Sequence, residues 1–363
     1  MKLGVLDFFK DVFNFLKAGS VLGVDIGTSS IKIAEVSAKG EHFELENYGV
    51  LESKKYLNQA NQAIQSSSLP IIEKDAIKLM QIILNEVRPK TKVAMVSIPS
   101  FTSFVVPIDM PIMSLEETSK SIMFQAKQYI PIPIDQVTLD WVKVEETDTG
   151  GIGTQKIILV GTPTEIVKRY KRIFKAVGLE LKTLEVEGFA LGRALVTEKP
   201  TLVVDIGAES TNIIVTEKGV LKQYNQSDYG GIYLTQALSR SLGISAARAE
   251  ELKRRRGLLA TGGEAELSTL ILPFLDVIIQ EVRYVRDEYA RRYSKGVDEV
   301  MLVGGGANLL GIEKYVQNEL GLRVVSPSTL NNVVYKEGLE PALKILKNEL
   351  VLPVGLAKKY FQK

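Results

Sequence analysis

Two short turns in the sequence combine carboxylate, glycine and hydroxyl groups at the same spacing. Residues 25–30 read DIGTSS and residues 205–211 read DIGAEST, and each turn follows an apolar run. Glycine and small residues at a hairpin tip let backbone N–H groups and hydroxyls face phosphate oxygens. A carboxylate at the end of a buried strand can hold a hydrated Mg²⁺ ion that bridges to phosphates. The turns therefore predict two halves of a magnesium and phosphate site, although one such turn alone is more often a simple hairpin.

Two further features add to this phosphate chemistry. Lys32 lies seven residues after Asp25 on the returning strand, where its ammonium can reach a β- or γ-phosphate. The apolar run 300–303 opens directly into three glycines at 304–306, before a helical pattern. Glycines in this place let the backbone approach a flat base or an α-phosphate, and the N–H groups of the helix start favour the anion. A nucleotide site is therefore the preferred interpretation.

The hydrophobic pattern predicts the elements that position these residues. Residues 22–36 read as strand, turn and strand, and the same pattern returns at 202–215. Because Asp25 and Asp205 are 180 residues apart, the repeat indicates a domain duplication and not a solenoid. Between the repeats, residues 103–186 alternate in the order β-α-β-β-α-β, which suggests a small ferredoxin-like insertion.

Length and composition exclude several classes of protein. A chain of 363 residues exceeds the size of one hydrophobic core, so we expect at least two packed lobes. The 45 basic and 43 acidic residues give a net charge of +2, which provides no global attraction to nucleic acid. The absence of cysteine excludes disulfides and thiol catalysis, and a single histidine, His42, excludes multi-histidine metal sites.

The termini and apolar runs predict a cytoplasmic protein. No apolar run approaches the roughly 18 residues of a membrane span, and the N-terminus lacks the pattern of a signal peptide. Residues 3–17 instead place apolar side chains at helical spacing, which predicts an amphipathic helix. Such a helix can dock on its own domain, on a partner or on a membrane surface, and Asp7 and Asp11 weigh against the membrane.

The order and chemistry of these motifs resemble those of the superfamily that contains actin, sugar kinases and heat-shock chaperone ATPases. Residues 25–32 are similar to its first phosphate motif, 205–211 to its second, and 300–311 to its adenosine motif. Residues 98–100 and 353–357 resemble its two connecting segments, so the similarity spans nearly the whole chain. The resemblance implies ATP and Mg²⁺ as ligands.

Carried over to this sequence, the resemblance assigns Asp25 and Asp205 as metal ligands. The nucleotide-contacting residues that it implies are Asp25, Gly27, Thr28, Ser29, Ser30, Lys32, Asp205, Gly207, Ser210, Thr211, Gly230, Gly231, Glu250, Lys253, Gly304, Gly305, Gly306 and Asn308. Glu250 and Lys253 would border the ribose and base, and the alternative is that they belong to a solvated helix end. The basic run 253–256 lacks interleaved aromatic residues, so we expect no nucleic-acid binding.

The expected fold class is α/β, an actin-like ATPase fold with two ribonuclease-H-like lobes and a ferredoxin-like insertion of the type found in FtsA and PilM. The expected parts are an N-terminal amphipathic helix at 1–20, a first lobe at 21–100 completed by 339–363, an inserted subdomain at 101–186, and a second lobe at 187–338 with a helical subdomain at 231–299.

The inserted subdomain separates the candidate subfamilies. Heat-shock chaperones carry a long C-terminal peptide-binding domain, and sugar kinases need a catalytic aspartate and commonly have a larger chain. FtsA usually ends in a linker and a membrane-targeting helix, whereas this sequence stops at residue 363, shortly after the second connecting segment. The sequence is therefore most similar to the PilM family. An FtsA-like division polymer and a small-molecule kinase remain the alternatives.

The PilM family is a cytoplasmic component of the type IV pilus platform at the inner membrane. The resemblance implies that this chain binds the cytoplasmic N-terminal peptide of a PilN-like membrane protein, which would recruit it to the membrane. A groove beside the strand 104–110 and the helix 123–130 is the expected peptide site, unless these residues are only the core of the insertion. A homo-oligomer also agrees with the resemblance.

ATP hydrolysis needs a residue that orients the attacking water. In several actin-like enzymes, a Gln, Glu or His lies several residues beyond the first connecting proline. Residues 100–106 offer none, Asp109 lies too far along the strand, and Glu209 is the remaining candidate. We therefore expect ATP to act mainly as a conformational ligand, with weak or absent ATPase activity.

Overall fold

The computed structural model describes residues 19–40, 42–52, 69–149, 152–259, 266–327, 333–335 and 337–362. The amphipathic pattern at 3–17 lies outside these residues. None of the helices in the described ranges is both long and apolar enough to cross a lipid bilayer. The described strands form three β-sheets with helices packed on their faces.

The elements are numbered in chain order. The strands are β1 Ser20–Ile26, β2 Ser30–Lys39, β3 His42–Glu52, β4 Val93–Ile98, β5 Phe104–Pro111, β6 Val137–Thr149, β7 Ile152–Pro163, β8 Glu180–Val186, β9 Thr201–Ile206, β10 Thr211–Glu217, β11 Val220–Ser227, β12 Glu299–Val303, β13 Arg323–Val325 and β14 Val333–Tyr335. The α-helices are α1 Leu69–Val87, α2 Leu115–Tyr129, α3 Thr164–Ala176, α4 Glu187–Ala194, α5 Gly231–Leu242, α6 Ala246–Arg256, α7 Glu266–Tyr293, α8 Ile312–Leu320, α9 Glu340–Leu346 and α10 Val351–Lys359. Short 3₁₀ turns lie at Ser100–Thr102, Ile134–Gln136, Gly305–Asn308 and Glu337–Leu339.

Lobe 1 is the six-stranded sheet, in the order β14-β3-β2-β1-β4-β8, with its helices. β1 and β2 pair antiparallel in a register that sets Asp25 opposite Lys32. β4 runs parallel to β1, and β8 runs parallel to β4. The inner strands are strongly apolar because helices cover both faces of the sheet, α1 and α3 on one and α9 and α10 on the other.

Lobe 2 is the five-stranded sheet, in the order β11-β10-β9-β12-β13, with its helices. Its hairpin of β9 and β10 repeats the first one and sets Asp205 opposite Asn212. α5, α7 and α8 cover one face of the sheet, and α4 covers the other. β12 lies parallel to β9 and pairs Val303 with Asp205, so the glycine run at 304–306 begins beside the carboxylate turn.

The insert is the three-stranded sheet, in the order β5-β7-β6, with α2. α2 packs on one face of this sheet, where Ile108, Ile122 and Leu159 share a core. The sequence-based topology also gave α3 and β8 to this unit, and the structure corrects it. β8 pairs with β4, and α3 packs in the core of lobe 1 through Phe174. The element order follows from the local pattern, but the sheet edge that a strand joins depends on tertiary packing.

The two lobes meet where α4 crosses α10. A Cβ atom on Gly355 of α10 would lie 2.3 Å from the carbonyl oxygen of Ala190 in α4, so the helix backbones approach each other closely only with glycine here. Similarly, a Cβ atom on Gly23 of β1 would lie 1.8 Å from the carbonyl oxygen of Pro353. Apolar residues of both lobes and of the insert pack around this crossing, which therefore lies in a shared core.

We expect Gly355→Ala to lower the free energy of unfolding by about 1–3 kcal/mol, although alanine is the better helix former, because overpacking forces the backbones apart. Gly296→Ala is the control. A Cβ atom at Gly296 meets no atom within 4 Å. Gly296→Ala should therefore change the free energy of unfolding by no more than about 0.5 kcal/mol. Urea denaturation measures both variants, and equal effects would contradict the tight crossing.

Candidate functional site

A cleft of about 470 Å³ lies between the two lobes. Small-molecule sites usually measure about 300–1,000 Å³, so this volume suits a ligand of nucleotide size. A smaller cavity of about 60 Å³ adjoins the cleft at the two carboxylate turns. Both spaces share lining residues from the first turn, Thr28, Ser29, Ser30 and Lys32. The two spaces therefore form one continuous site.

Most of the predicted contact residues line this site. The cleft is lined by Thr28, Ser29, Ser30, Lys32, Gly207, Gly231, Glu250, Lys253, Gly305, Gly306 and Asn308. The smaller cavity adds Asp25, Gly27, Asp205, Ser210 and Gly304. Thr211 and Gly230 lie behind the lining: Thr211 donates its hydroxyl to the carbonyl oxygen of Tyr229 at 2.7 Å, and a Cβ atom on Gly230 would lie 2.7 Å from the carbonyl oxygen of Ala208.

The first turn holds a buried ion pair. The Lys32 Nζ atom lies 3.2 Å from Asp25 Oδ2, and the Ser97 hydroxyl donates to Asp25 Oδ1 at 2.9 Å. Burial alone would lower the pKa of Lys32, but the carboxylates of Asp25, Asp205 and Glu349 raise it above its ordinary value. Lys32 is therefore a fixed positive charge at the wall of the site.

The second turn has the same geometry and a different partner. The Gly207 N–H donates to the Ser210 carbonyl oxygen at 2.9 Å, just as the Gly27 N–H donates to the Ser30 carbonyl oxygen at 3.0 Å. Where the first hairpin carries lysine, the second carries Asn212, whose Nδ2 atom lies 3.3 Å from Asp205 Oδ2. The second hairpin therefore presents a carboxylate with a neutral amide, and not an ammonium, at the matching position.

Glu187, the first residue of α4, lines the smaller cavity beside both turns. Its Oε2 atom accepts hydrogen bonds from the Ser100 hydroxyl at 3.1 Å and from Asn212 Nδ2 at 2.8 Å. Burial, together with the carboxylates of Asp25 and Asp205, raises the pKa of Glu187 to about 8. A carboxyl group that titrates near neutral pH can accept or donate a proton at this position.

Neither Glu187 nor Asn212 was among the residues predicted from the sequence. Asn212 had a signal, because it follows Asp205 by seven residues just as Lys32 follows Asp25. Glu187 directly follows β8, and ligand sites lie at the carboxyl ends of parallel strands. This signal was hidden because the pattern at 181–186 was assigned to the insert and not to the sheet of lobe 1.

The expectation that the site lacks a water-orienting residue rested on the segment that follows Pro99. Glu187 lies outside that segment and adds a carboxyl group to the lining of the site, and weak or absent ATPase activity stays a prediction. Glu209, the other candidate, lines both the cleft and the smaller cavity. Burial raises the pKa of Glu209 above its ordinary value.

Glu250 and Lys253 of α6 form a polar cluster on the lobe 2 side of the cleft. Lys253 Nζ lies 2.7 Å from Glu250 Oε2 and donates to the Gly231 carbonyl oxygen at 2.8 Å. Burial acts to raise the pKa of Glu250, but the charge of Lys253 and several hydrogen bonds lower it to about 2. Arg254 extends the cluster across the cleft mouth to Glu52 of lobe 1, with a distance of 3.1 Å.

The glycine run allows a close approach to the second turn. Gly304 has a φ of +79°, and a Cβ atom on it would lie 2.3 Å from Asp205 Oδ1. Glycine is therefore required both by the backbone conformation and by the carboxylate beside it. The following turn carries Asn308, whose Nδ2 atom donates to Glu349 Oε1 at 3.2 Å. This contact ties the run to the segment that precedes α10.

The donor set of this site agrees with Mg²⁺ and a nucleotide. Within the described ranges, no group of three or more His, Asp or Glu side chains converges to hold a metal. Mg²⁺ commonly needs only one or two carboxylates, and completes its shell with water and phosphate oxygens. Asp25 and Asp205 provide two carboxylates, and the hydroxyls and N–H groups of the turns are donors of the kind that phosphate oxygens accept.

The predicted peptide groove on the insert divides into buried and exposed residues. Ile108, Met110 and Ile122 pack in the core of the insert. Met123 and Phe124, on the outer side of α2, are 59% and 72% exposed. An exposed apolar surface therefore exists on α2, and the strand β5 contributes mainly to the core.

Known proteins are similar to this chain over most of its length. The family model described as "Type IV pilus assembly protein PilM" matches residues 23–361. Relatives by sequence include the cell division protein FtsA of Enterococcus faecalis, 24% identical over 91% of this chain and 86% of that protein. FtsA of Streptococcus pneumoniae is 22% identical over 85% of this chain and 75% of that protein.

Solved structures show that the fold is actin-like. A PilM-PilN type IV pilus biogenesis complex superposes with a TM-score of 0.79 at 22% identity, and covers 94% of this chain and 99% of that chain. The ethanolamine utilization protein EutJ of Carboxydothermus hydrogenoformans gives a TM-score of 0.54 at 20% identity, covering 95% and 91%. A MamK double helical filament gives a TM-score of 0.52 at 14% identity, covering 95% and 99%.

The pKa of Glu187 predicts a pH dependence of stability without nucleotide. The folded protein keeps this carboxyl protonated up to pH about 8, whereas the unfolded chain releases the proton near the ordinary carboxyl pKa. The folded state therefore binds more protons between these values, and its stability falls as the pH rises through the window. Glu187→Gln removes this loss, so the variant should gain stability relative to wild type by at least about 1 kcal/mol more at about pH 8.5 than at about pH 5.

Urea denaturation at the two pH values measures this difference. Glu313→Gln changes an exposed carboxyl group on α8 and serves as the control. Its difference in stability from wild type should be the same at both pH values. A difference between Glu187→Gln and wild type that is independent of pH would show that the carboxyl does not titrate in this range.

Proposed function

This chain belongs to the family of type IV pilus assembly protein PilM, and we propose that it acts there as an ATP-binding component whose two lobes close on Mg·ATP. The pair of hairpins that face each other across the site supports this proposal. One carries Asp25 with Lys32, and the other carries Asp205 with Asn212. Such a pair can bind a phosphate chain from both sides, so that the ligand links the lobes.

Each group of residues has a separate role in this proposal. The hydroxyls of Thr28, Ser29 and Ser30 bind phosphate oxygens, and Lys32 neutralises their charge. Asp25 and Asp205 hold Mg²⁺, which when bound would neutralise the remaining phosphate charge. The cluster around Lys253 and the glycines that follow β12 border the ribose and base.

Glu187 gives the site a proton acceptor whose state depends on nearby charge. With a pKa of about 8, the group is mostly protonated at neutral pH and accepts a proton poorly. A cation held by the neighbouring carboxylates would lower this pKa, because opposite charge favours the ionised form. Activation of water by Glu187 would therefore require a cation bound to the neighbouring carboxylates.

We further propose that the partner of this chain is a PilN-like membrane protein, bound through its cytoplasmic N-terminal peptide. The superposed structure at a TM-score of 0.79 is a PilM-PilN complex, which supports a partner of this kind. The exposed side chains Met123 and Phe124 give the insert an apolar contact surface for an incoming peptide. A partner of this kind would recruit the protein to the cytoplasmic face of the membrane, and this location is part of the proposal.

An FtsA-like polymer is the second candidate. The sequence similarity to FtsA, 24% over 91% of the chain, supports it. The family model favours a pilus assembly protein. It is described as "Type IV pilus assembly protein PilM", and it matches residues 23–361. ATP-dependent filaments in electron micrographs of the pure protein would favour the polymer.

Nucleotide binding is tested by Asp25→Ala and calorimetry with Mg·ATP. We expect binding to be abolished, because the variant loses a metal ligand and leaves Lys32 without its partner carboxylate. Asp135→Ala changes an exposed carboxyl group of the insert and should bind like wild type. Unchanged affinity in Asp25→Ala would refute the site, provided that its unfolding curve shows a folded protein.

Partner binding is tested with a synthetic peptide from the cytoplasmic N-terminus of the PilN-like protein of the same organism. We expect capture by the wild type and a loss of at least about tenfold in affinity for Phe124→Asp, because a charge disrupts an apolar contact. Leu242→Asp alters an exposed apolar residue of lobe 2 and is the control. Measurement by fluorescence anisotropy with and without ATP would also show whether the cleft and the insert are coupled. No capture by the wild type would refute the partner.

A further inference from the structure

The face of the lobe 2 sheet that α4 covers carries a row of polar side chains next to the site. In the antiparallel register, Asp205 of β9 lies opposite Asn212 of β10, and Asn212 lies opposite Gln226 of β11. Residues directly opposite each other, and residues two apart on one strand, project from the same face of a sheet. Tyr224 is two residues before Gln226, so it shares this face with Asn212.

The nitrogen end of the Asn212 side chain contacts two carboxyl groups. Its Nδ2 atom donates to Glu187 Oε2 at 2.8 Å and lies 3.3 Å from Asp205 Oδ2. An amide nitrogen carries two N–H donors, so one asparagine can bind both groups. The side chain of Asn212 therefore links Asp205, a proposed metal ligand, to the first residue of α4.

The oxygen end of the same amide is bound by a tyrosine. The Tyr224 hydroxyl donates to Asn212 Oδ1 at 3.1 Å. Burial raises the pKa of Tyr224 above its ordinary value, and the carboxylates of Glu187 and Asp205 act in the same direction. The hydroxyl therefore keeps its proton at physiological pH and remains a donor.

The first turn of α4 holds the tyrosine ring in place. A Cβ atom on Gly188 would lie 2.9 Å from Tyr224 Cδ2, so the backbone of α4 approaches the ring as closely as glycine permits. Gly188 directly follows Glu187, whose Oε2 atom also accepts from the Ser100 hydroxyl at 3.1 Å. Tyr224, Asn212 and Glu187 therefore form one connected group at the start of α4.

The two hairpins hold their aspartates by different means. In lobe 1, the ammonium of Lys32 and the hydroxyl of Ser97 contact the two carboxylate oxygens of Asp25. In lobe 2, a neutral amide stands where lobe 1 has the ammonium. The terminal torsion of asparagine is broad, so the backbone alone does not fix the plane of the Asn212 amide. Hydrogen bonds at both ends of the amide, one of them from Tyr224, do fix it.

We propose that Tyr224 is a positioning residue of the nucleotide site, which holds the Asn212 amide, and through it the carboxylate of Asp205, in the orientation that binds Mg·ATP. This inference rests on the proposed function. Removal of a group that supports a metal ligand from behind commonly lowers metal affinity by about ten- to a hundredfold. Tyr224 lies one contact further from the metal than Asn212, so we expect a smaller effect from its hydroxyl.

Calorimetry with Mg·ATP tests this role in a double-mutant cycle of Tyr224→Phe and Asn212→Ala. Tyr224→Phe keeps the ring that packs on α4 and removes only the hydroxyl. We expect it to weaken binding at least about threefold in the wild-type background, because the amide oxygen loses its donor. In the Asn212→Ala background, the same change should alter the affinity by no more than about 1.5-fold, because the amide through which the hydroxyl acts is absent.

Tyr293→Phe is the matched control. The Tyr293 hydroxyl donates to the carbonyl oxygen of Lys222 at 3.0 Å, so this variant also loses a tyrosine hydrogen bond to β11, but away from Asn212. Its affinity for Mg·ATP should equal that of wild type. Urea denaturation without nucleotide adds a second measurement. Tyr224→Phe should lower the urea midpoint in the wild-type background and change it less in the Asn212→Ala background.

The positioning role would be overturned by an unchanged affinity in Tyr224→Phe, or by an equal loss of affinity in both backgrounds. An equal loss in Tyr224→Phe and Tyr293→Phe would overturn it as well, because the effect would then be one of general stability. If Asn212→Ala abolishes binding, the comparison of Tyr224→Phe with Tyr293→Phe decides. Wild-type protein that does not bind Mg·ATP would refute the proposed function, and this inference with it, whereas the other outcomes leave that function standing.

Discussion

Three carboxyl groups and one ammonium group lie together at the junction of the lobes. Asp25, Asp205 and Glu187 line the same small cavity, and Lys32 is the cation beside them. Burial disfavours ionised carboxyl groups and neighbouring negative charge adds to this cost, which is reflected in the raised pKa values of Glu187 and Asp205. These charged groups lie at the centre of the protein, where the surrounding apolar sheets hold them in place. An arrangement of this kind is most stable when a cation enters.

The rest of the fold supports this cluster by bringing backbones unusually close together. Gly304 approaches the carboxylate of Asp205, while Gly355 and Gly23 allow α10 to pack against α4 and β1. Both lobes and the insert therefore share a core immediately behind the site. Because Glu187 begins α4, a change in its charge acts directly on an element of that core.

The sequence was sufficient for the features that depend on local pattern. The two hairpins, the glycine run and the order of strands and helices follow from residue type and spacing, and so did the family. The membership of α3 and β8 in lobe 1 did not, because it depends on which sheet edge is available in the folded protein. Glu187 was missed for the same reason. Its role becomes visible only when the strand before it is placed beside β4. Thr211 and Gly230 matched the motif but serve the packing behind the site.

The two hairpins have the same register, yet position seven after the aspartate is lysine in lobe 1 and asparagine in lobe 2. If the halves arose by duplication, they have since lost their equivalence. A symmetric ancestor with lysine in both halves would balance its carboxylates more fully, and one with asparagine in both would lack a cation. In the present molecule, lysine balances the carboxylate of the first hairpin, whereas the carboxylate of the second hairpin faces only a neutral amide. The two sides of the cleft are therefore electrostatically different, and the two orientations of an asymmetric ligand are not equivalent in energy.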